Sequence, residues 1–273
     1  MLYAMHGPSC AYCQDLLTRG DRGDVEHFRP KKNVTENPQH GGYWWLAYRF
    51  DNYLLSCIPC NRTLKRSHFP VADNGHITYA GRADLSGEKR LLLDPCRDKV
   101  EDLMILDPHD RLCRVMPAPR IRGLNRQRVE TTIDIFRLNK DDRLYKSRRN
   151  TVREVLKALA AGQDEQVRRS AGRYQAGSWV VRQVLTALNR SDLLPDAEEE
   201  LVWFLESLRE DIDSTLIRLD TYPADKALKR RLRELQWSLV TLWRAPPTGD
   251  PKPVTLFLEQ HRLLHAVKAL SSA

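Results

Sequence analysis

Nothing in the 273-residue sequence approaches the run of roughly 18–20 apolar residues that a membrane helix needs, so a membrane-spanning protein is not expected. Met1 to Cys13 lacks the basic and apolar segments of a signal peptide, which makes the cytoplasm the expected location and a reducing one the expected redox setting. A Gly-rich loop to cradle phosphate is missing, as is any ATPase motif, so a nucleotide-driven step would have to come from another chain. Cysteine is sparse. Of six, four fall in two Cys-x-x-Cys pairs, Cys10/Cys13 and Cys57/Cys60, which suits metal ligation better than a disulfide framework and leaves Cys96 and Cys113 over. What the chain does have is 41% hydrophobic residues, enough for a real core, and a net charge of +8, which makes a polyanion a plausible partner.

Taken in order, residues 1 to 117 are rich in turn formers and dense in Cys, His and aromatics. Asp24 to Phe28 alternates like a short strand that Pro30 stops, and Asp51 to Ser56 reads as a second. Pro59 suits a first helical turn, so Cys60 to Arg66 reads as a short helix and the three pieces form a ββα unit. Residues 73–90 lack periodicity and read as a mobile surface loop. Leu91–Leu93 and Leu103–Leu106 are expected as strands, with a hairpin turn at Asp107–Asp110 before a strand over Arg111–Val115.

Pro117 and Pro119 mark a change to helical periodicity, and the expected division is a Cys- and His-rich unit containing the ββα element at 1–117 and an α-helical unit at 118–273, an α+β fold overall. Five or six helices are expected, with apolar stripes through Leu201, Phe204, Leu208, Ile212, Leu216 and Leu219, and through Leu228, Leu232, Leu235, Leu239 and Leu242. An Ala245–Pro251 linker precedes a last stripe over Leu263, Leu264, Val267 and Leu270. Charge is segregated along this half: residues 111–190 carry nineteen Lys and Arg against seven Asp and Glu, so this segment can track a phosphate backbone. Residues 191–220 carry two against ten and read as a solvated acidic face.

The chemistry concentrates between the cysteine pairs. Four thiolates from two such pairs close a tetrahedral zinc site with no open position, a structural site that clamps the chain start to the helix of the ββα unit. His27 beside a phosphodiester can take a proton from water near neutral pH, and Glu26 can supply a hard oxygen to a Mg²⁺ or Mn²⁺ ion. Asn61 offers a second ligand from the helix, Lys65 lies one turn on, and Arg62 and Arg66 flank it as phosphate contacts. His68 is a further phosphate contact or ligand. Asn52 is expected to bond the backbone of the long loop and so hold the strand that carries His27. Tyr43, Trp44, Trp45 and Tyr48 fit a core role better than base stacking.

The ordered set Cys-x-x-Cys, Glu-His, Asn, Cys-x-x-Cys-Asn and Lys resembles the HNH (ββα-metal) endonuclease superfamily. Within it the chain looks most like the bacterial defence nucleases typified by the PtuB component of Septu and of some retron systems. Cys10–Cys13, Val25–Lys31, Tyr43–Tyr48, Asp51–Asn52, Leu55–Cys57, Cys60–Arg62 and Leu92–Cys96 carry that likeness over about the first 140 residues. The resemblance implies a DNA endonuclease acting in antiviral defence. His27 would be the general base, Glu26 and Asn61 would ligate a catalytic Mg²⁺ or Mn²⁺, Asn52 would be the central structural residue, and Cys10, Cys13, Cys57 and Cys60 would bind zinc. It also implies an ATPase partner of the PtuA type docking on the C-terminal helices. Gln14 departs from the pattern, standing where Glu is expected, and the motif closes on Asn61 rather than His. An RNA target such as transfer RNA remains open within the same chemistry, as does a non-catalytic zinc module that binds nucleic acid as an adaptor. Cutting both strands of a duplex would call for two copies, hence a possible homodimer.

Overall fold

The computed structural model describes residues 7–17, 23–72, 78–79, 85, 87–107, 110, 112–172, 177–244, 252–261, 263–264 and 267. Strand β1 (Asp24–His27) pairs antiparallel with β2 (Tyr53–Ser56), placing His27 opposite Tyr53 and Glu26 opposite Leu54. The chain then turns through Pro59 into helix α1 (Pro59–Lys65), which is wound as a π-helix throughout: the Arg66 amide reaches back five residues to the Asn61 carbonyl at 2.9 Å. The expected ββα unit is therefore present.

Between β1 and β2 the connection is long but fixed. Gly42 adopts φ +81, and a Cβ there would meet the Lys32 carbonyl carbon at 2.3 Å, so only glycine allows the two backbones to pass. Tyr43 and Phe69 are fully buried, as is Phe28, and their rings meet edge to face. Beyond α1 come α2 (Val100–Leu103) and the short antiparallel pair β3 (Met104–Leu106) and β4 (Val115–Pro117).

Some local expectations need correcting. Leu91–Leu93 is no strand: Leu92 and Leu93 both turn into the core, and the Leu93 amide bonds the Thr132 hydroxyl at 3.0 Å, so a tertiary contact takes the group a ladder would have used. Of the loop expected over 73–90, residues 73–77, 80–84 and 86 lie outside the described residues, but Thr78 and Glu88 are buried and so do not belong to a surface loop. Pro108 and His109 of the expected hairpin turn, and Arg111 of its strand, also lie outside. Within it, the Asp110 carboxylate accepts from the Leu112 and Arg114 amides, and the strand starts only at Val115.

Seven helices follow among the described residues: α3 (Gly123–Ile135), α4 (Asp142–Ala160), α5 (Asp164–Ser170), α6 (Ser178–Ala187), α7 (Ala197–Thr221), α8 (Lys226–Arg244) and α9 (Lys252–Gln260). Asp141 caps α4 by accepting from the Arg143 amide at 2.9 Å. At α7 the Glu199 amide donates to Asp196 and the Asp196 amide to Glu199, a reciprocal cap that gives the acids after Pro195 their place. Leu201, Leu208 and Ile212 bury against Leu235, Leu239, Leu242, Val254 and Leu258, as the periodicity requires, whereas Leu216 is exposed. The Phe204 side chain, the 245–251 linker and Leu270 lie outside the described residues.

Packing does not stop at Pro117. Tyr12 stacks on Phe136 with ring centroids 4.0 Å apart, and Val129, Leu138, Leu144, Trp179 and Val180 share one core with Cys10, Phe28, Leu54 and Leu92. The aperiodic first part is short of aliphatic residues, and the first helices of the second part complete its core. Among the described residues no helix is long and apolar enough to cross a membrane.

Candidate functional site

Cys57 leaves β2 directly and Cys60 lies in the first turn of α1, while Cys10 and Cys13 occupy a tight turn bonded to β2 through the Ala11 amide and the Leu55 carbonyl at 2.8 Å. This brings the four sulfurs together. All lie within 4.8 Å of one another, and those of Cys13 and Cys57 are 3.9 Å apart. A tetrahedral zinc with bonds of about 2.3 Å requires sulfurs about 3.8 Å apart, so the four are close enough to hold one ion. All four are buried. Hydrogen bonding from Cys13 and then Cys57 holds the Cys10 thiol well below its usual range, whereas bonding with Cys10 pushes Cys60 up. Thiols crowded this way share protons unequally, which is a poor resting state for four neutral groups and a good one for a dication.

On β1 the side chains alternate, and the two residues of the Glu-His pair have different surroundings. Glu26 is buried. Its Oε1 lies 2.5 Å from the Lys65 ammonium and accepts a long bond from the Tyr12 hydroxyl at 3.4 Å. Burial pushes the Glu26 carboxyl up, with Lys65 working against that. His27 is half-buried, its ring edge-on to Tyr53, and its Nε2 lies 3.0 Å from the Ala47 carbonyl. Burial holds the imidazole below its ordinary value, and the nearby Lys31 and Lys65 charges add to this.

Asn52 joins the two arms. Its Oδ1 accepts from the Arg29 amide at 2.8 Å, and its Nδ2 donates to the Arg29 carbonyl at 3.0 Å and the Leu46 carbonyl at 3.4 Å. The second residue after β1 and the turn facing it are thus held by a single buried amide.

Helix α1 packs its polar residues on the Asp24/Glu26 face of β1. Asn61 donates to Asp24 Oδ2 at 3.2 Å, and Arg62 forms a two-pronged pair with Asp24 at 2.7 and 2.8 Å, holding that carboxyl below its usual range. Lys65, expected to face phosphate, has no exposed side chain; its Nζ donates to the His27 carbonyl at 3.0 Å as well as pairing with Glu26. Arg66 is exposed at the end of the helix with φ 48. His68, expected as a ligand or phosphate contact, instead bonds Glu36 through Nδ1 at 2.7 Å, and the Phe69 amide bonds the other oxygen of the same carboxylate. Among the described residues, the bonds that tie α1 to β1 run through Asp24, Glu26 and the His27 carbonyl. None joins the His27 imidazole to the Asn61 side chain.

Sequence reasoning missed two elements here. Asp24 was legible in principle, since it lies two residues before Glu26 and so shares its face. Glu88 was not: it sits in an aperiodic stretch, yet its carboxylate pairs with Arg29 at 2.7 Å and accepts from the Tyr43 hydroxyl at 2.7 Å and the Thr78 amide at 3.2 Å. This fully buried pair locks the start of the long connection to its aromatic stretch. The four aromatics divide: Tyr43 is core and Trp45 half-buried, while Trp44 and Tyr48 are exposed.

Set beside known proteins, the chain is 37% identical over 102 residues to the Septu protein PtuB of Bacillus mycoides strain KBAB4, covering 36% of this chain and 34% of that protein. It is 27% identical over 135 residues to the Septu protein PtuA of the same strain, covering 48% of this chain and 17% of that protein. The chain thus spans about a third of the length of the PtuB relative and less of the PtuA one. No family model matches, and no solved structure does. The likeness to PtuB expected from the motifs is borne out.

Proposed function

We propose that this PtuB-like chain is the nuclease component of an anti-phage defence system, a zinc-stapled HNH endonuclease that hydrolyses phosphodiester bonds in DNA with the help of a divalent cation. The observation that carries the reading is the bond between His27 Nε2 and the Ala47 carbonyl. A carbonyl only accepts, so Nε2 holds the proton and Nδ1 keeps the lone pair of a general base. Asn52 and the His27–Tyr53 pairing keep the ring in place, and the imidazole withdraws a proton from water at Nδ1 as the water attacks phosphorus.

Cys10, Cys13, Cys57 and Cys60 would hold structural zinc, which pins α1 to the start of the chain. For a catalytic Mg²⁺ or Mn²⁺ the available hard oxygens are those of Glu26 and Asn61, with Asp24 beside Asn61; such an ion supplies charge stabilisation to the pentacovalent phosphorus and the leaving 3′ oxygen. The donor chemistry fits, although the Lys65 ammonium now occupies the place of the positive charge beside Glu26. Arg62 and Arg66 are the candidate phosphate contacts near the mouth of α1. A PtuA-type ATPase is the proposed partner, supported by the Septu designation that both relatives share.

The closed Glu26–Lys65 pair favours one other reading, a zinc module that binds nucleic acid without cutting it. Plasmid DNA and transfer RNA incubated with the protein and Mg²⁺ or Mn²⁺ separate the two. Cleavage by the wild type that drops at least 100-fold in His27→Ala is expected, in line with the usual worth of a general base. Binding without scission by both proteins would establish the adaptor instead.

A further inference from the structure

Trp44 and Tyr48 are 63% and 95% exposed, although each ring offers about 150–250 Å² of surface to bury. One exposed aromatic is ordinary; here two lie four residues apart on a turn whose neighbouring groups are bonded and buried. Tyr43 before it is fully buried and bonded to Glu88 at 2.7 Å, and its amide bonds the Pro30 carbonyl at 2.8 Å. Leu46 within it is buried, and its carbonyl accepts from Asn52. The Ala47 carbonyl accepts from His27 Nε2 and, at 2.6 Å, from the Tyr53 hydroxyl. The group that orients the candidate base therefore belongs to the same short segment as the two exposed rings, one residue before Tyr48 and three after Trp44. Cations share the neighbourhood: Lys31 acts electrostatically on His27, and Lys32 is exposed beside the Gly42 crossing.

We infer that Trp44 and Tyr48 form a stacking platform for unpaired nucleobases next to the phosphodiester presented to His27. The preferred substrate is then a strand whose bases are free to turn outward, single-stranded DNA or an RNA loop, rather than an intact duplex. The inference rests on the nuclease reading for the position of the cut but not for the binding itself. In a duplex both faces of each base are covered by its neighbours, so the rings would have nothing to stack on; an unpaired base has a free face whatever its identity. A rigid turn strengthens the case, since the rings' positions are set before binding and little order is lost when a base arrives. Lys31 near His27 and the exposed Lys32 beside Gly42 supply charge that a phosphate backbone requires and an apolar protein surface does not.

The test is fluorescence anisotropy with the full chain and no added divalent ion, using labelled single-stranded DNA, single-stranded RNA and duplex DNA of equal length, for the wild type and the double variant Trp44→Ala/Tyr48→Ala. The double variant should retain the wild-type melting temperature, because both side chains are exposed. It should bind both single strands at least 25-fold more weakly, about fivefold or more per ring, with duplex affinity and the salt dependence of binding unchanged. Trp44→Phe/Tyr48→Phe should restore most of the loss. Single-strand affinity within twofold of wild type in the Ala variant overturns the inference and leaves the patch to a protein partner; so does equal weakening on duplex and single strand, or a wild type that binds no single strand. Because no divalent ion is added and binding alone is read, the outcome is independent of the nuclease reading, which the His27→Ala cleavage assay tests separately.

Discussion

The Lys65 ammonium, without exposed side-chain surface, touches Glu26 Oε1 at 2.5 Å and the His27 carbonyl at 3.0 Å. One cation thus balances the carboxylate of the Glu-His pair and ties α1 to the backbone of His27. Removing it leaves a buried carboxylate with the long Tyr12 bond and a backbone bond from His27, and losing one partner of a buried pair typically costs about 3–5 kcal/mol. Lys65→Met, which keeps the volume and discards the charge, should lower unfolding stability by that order in urea titration. A loss under about 1 kcal/mol would mean that water reaches Glu26 and that the site is open. A lysine in a basic helix is expected to face solvent, so this burial was not legible from sequence: the carboxylate that draws it inward lies 39 residues away. The backbone bonds of Asn52 were legible, because a short Asn amide readily bonds nearby backbone, although the strand it was expected to lie in begins only at Tyr53.

At the scale of elements, β1, β2 and α1 form a hairpin and one helix with few apolar residues of their own, and the four thiols at their junction are what closes them. Metal analysis of the purified protein should find one zinc per chain, and Cys57→Ser/Cys60→Ser should lose it together with much of the thermal stability of the hairpin, since structural zinc contributes folding energy directly. Full zinc occupancy in that variant would place the metal elsewhere. The cysteine pairs announced this in the sequence because their spacing is local and the geometry of zinc is strict. The strand expected over Leu91–Leu93 failed for the opposite reason. A run of three apolar residues says only that they are buried, and the Thr132 hydroxyl of a helix 39 residues on decides what their backbone bonds. Glu88 was invisible on the same grounds, its partners Arg29 and Tyr43 lying far behind it in the chain.

Across the whole molecule, the change of periodicity at Pro117 separates two kinds of sequence but not two cores. Phe136, just past α3, stacks on Tyr12 beside the cysteine cluster, and it is almost fully buried. Phe136→Ala should therefore cost about 3–5 kcal/mol and weaken zinc retention in a competition with a chromophoric chelator, although it lies far outside the ββα unit in sequence. A variant that loses stability while holding zinc as tightly as wild type would show that the two halves fold independently. The acidic start of α7 and the basic run before it meet within the fold, as in the pair of Arg182 with Glu200, so part of the charge segregation read from sequence is internal neutralisation rather than free surface.

In the proposed mechanism the arm carrying His27 and the helix carrying Asn61 serve one divalent cation. Crystals soaked in Mn²⁺ test it most directly, by anomalous scattering at the manganese and zinc edges. The expected result is a zinc peak inside the four sulfurs and a manganese peak at the oxygens of Glu26 and Asn61, with the Lys65 ammonium displaced from Glu26. A zinc peak alone, with the Glu26–Lys65 pair intact at saturating Mn²⁺, would contradict it.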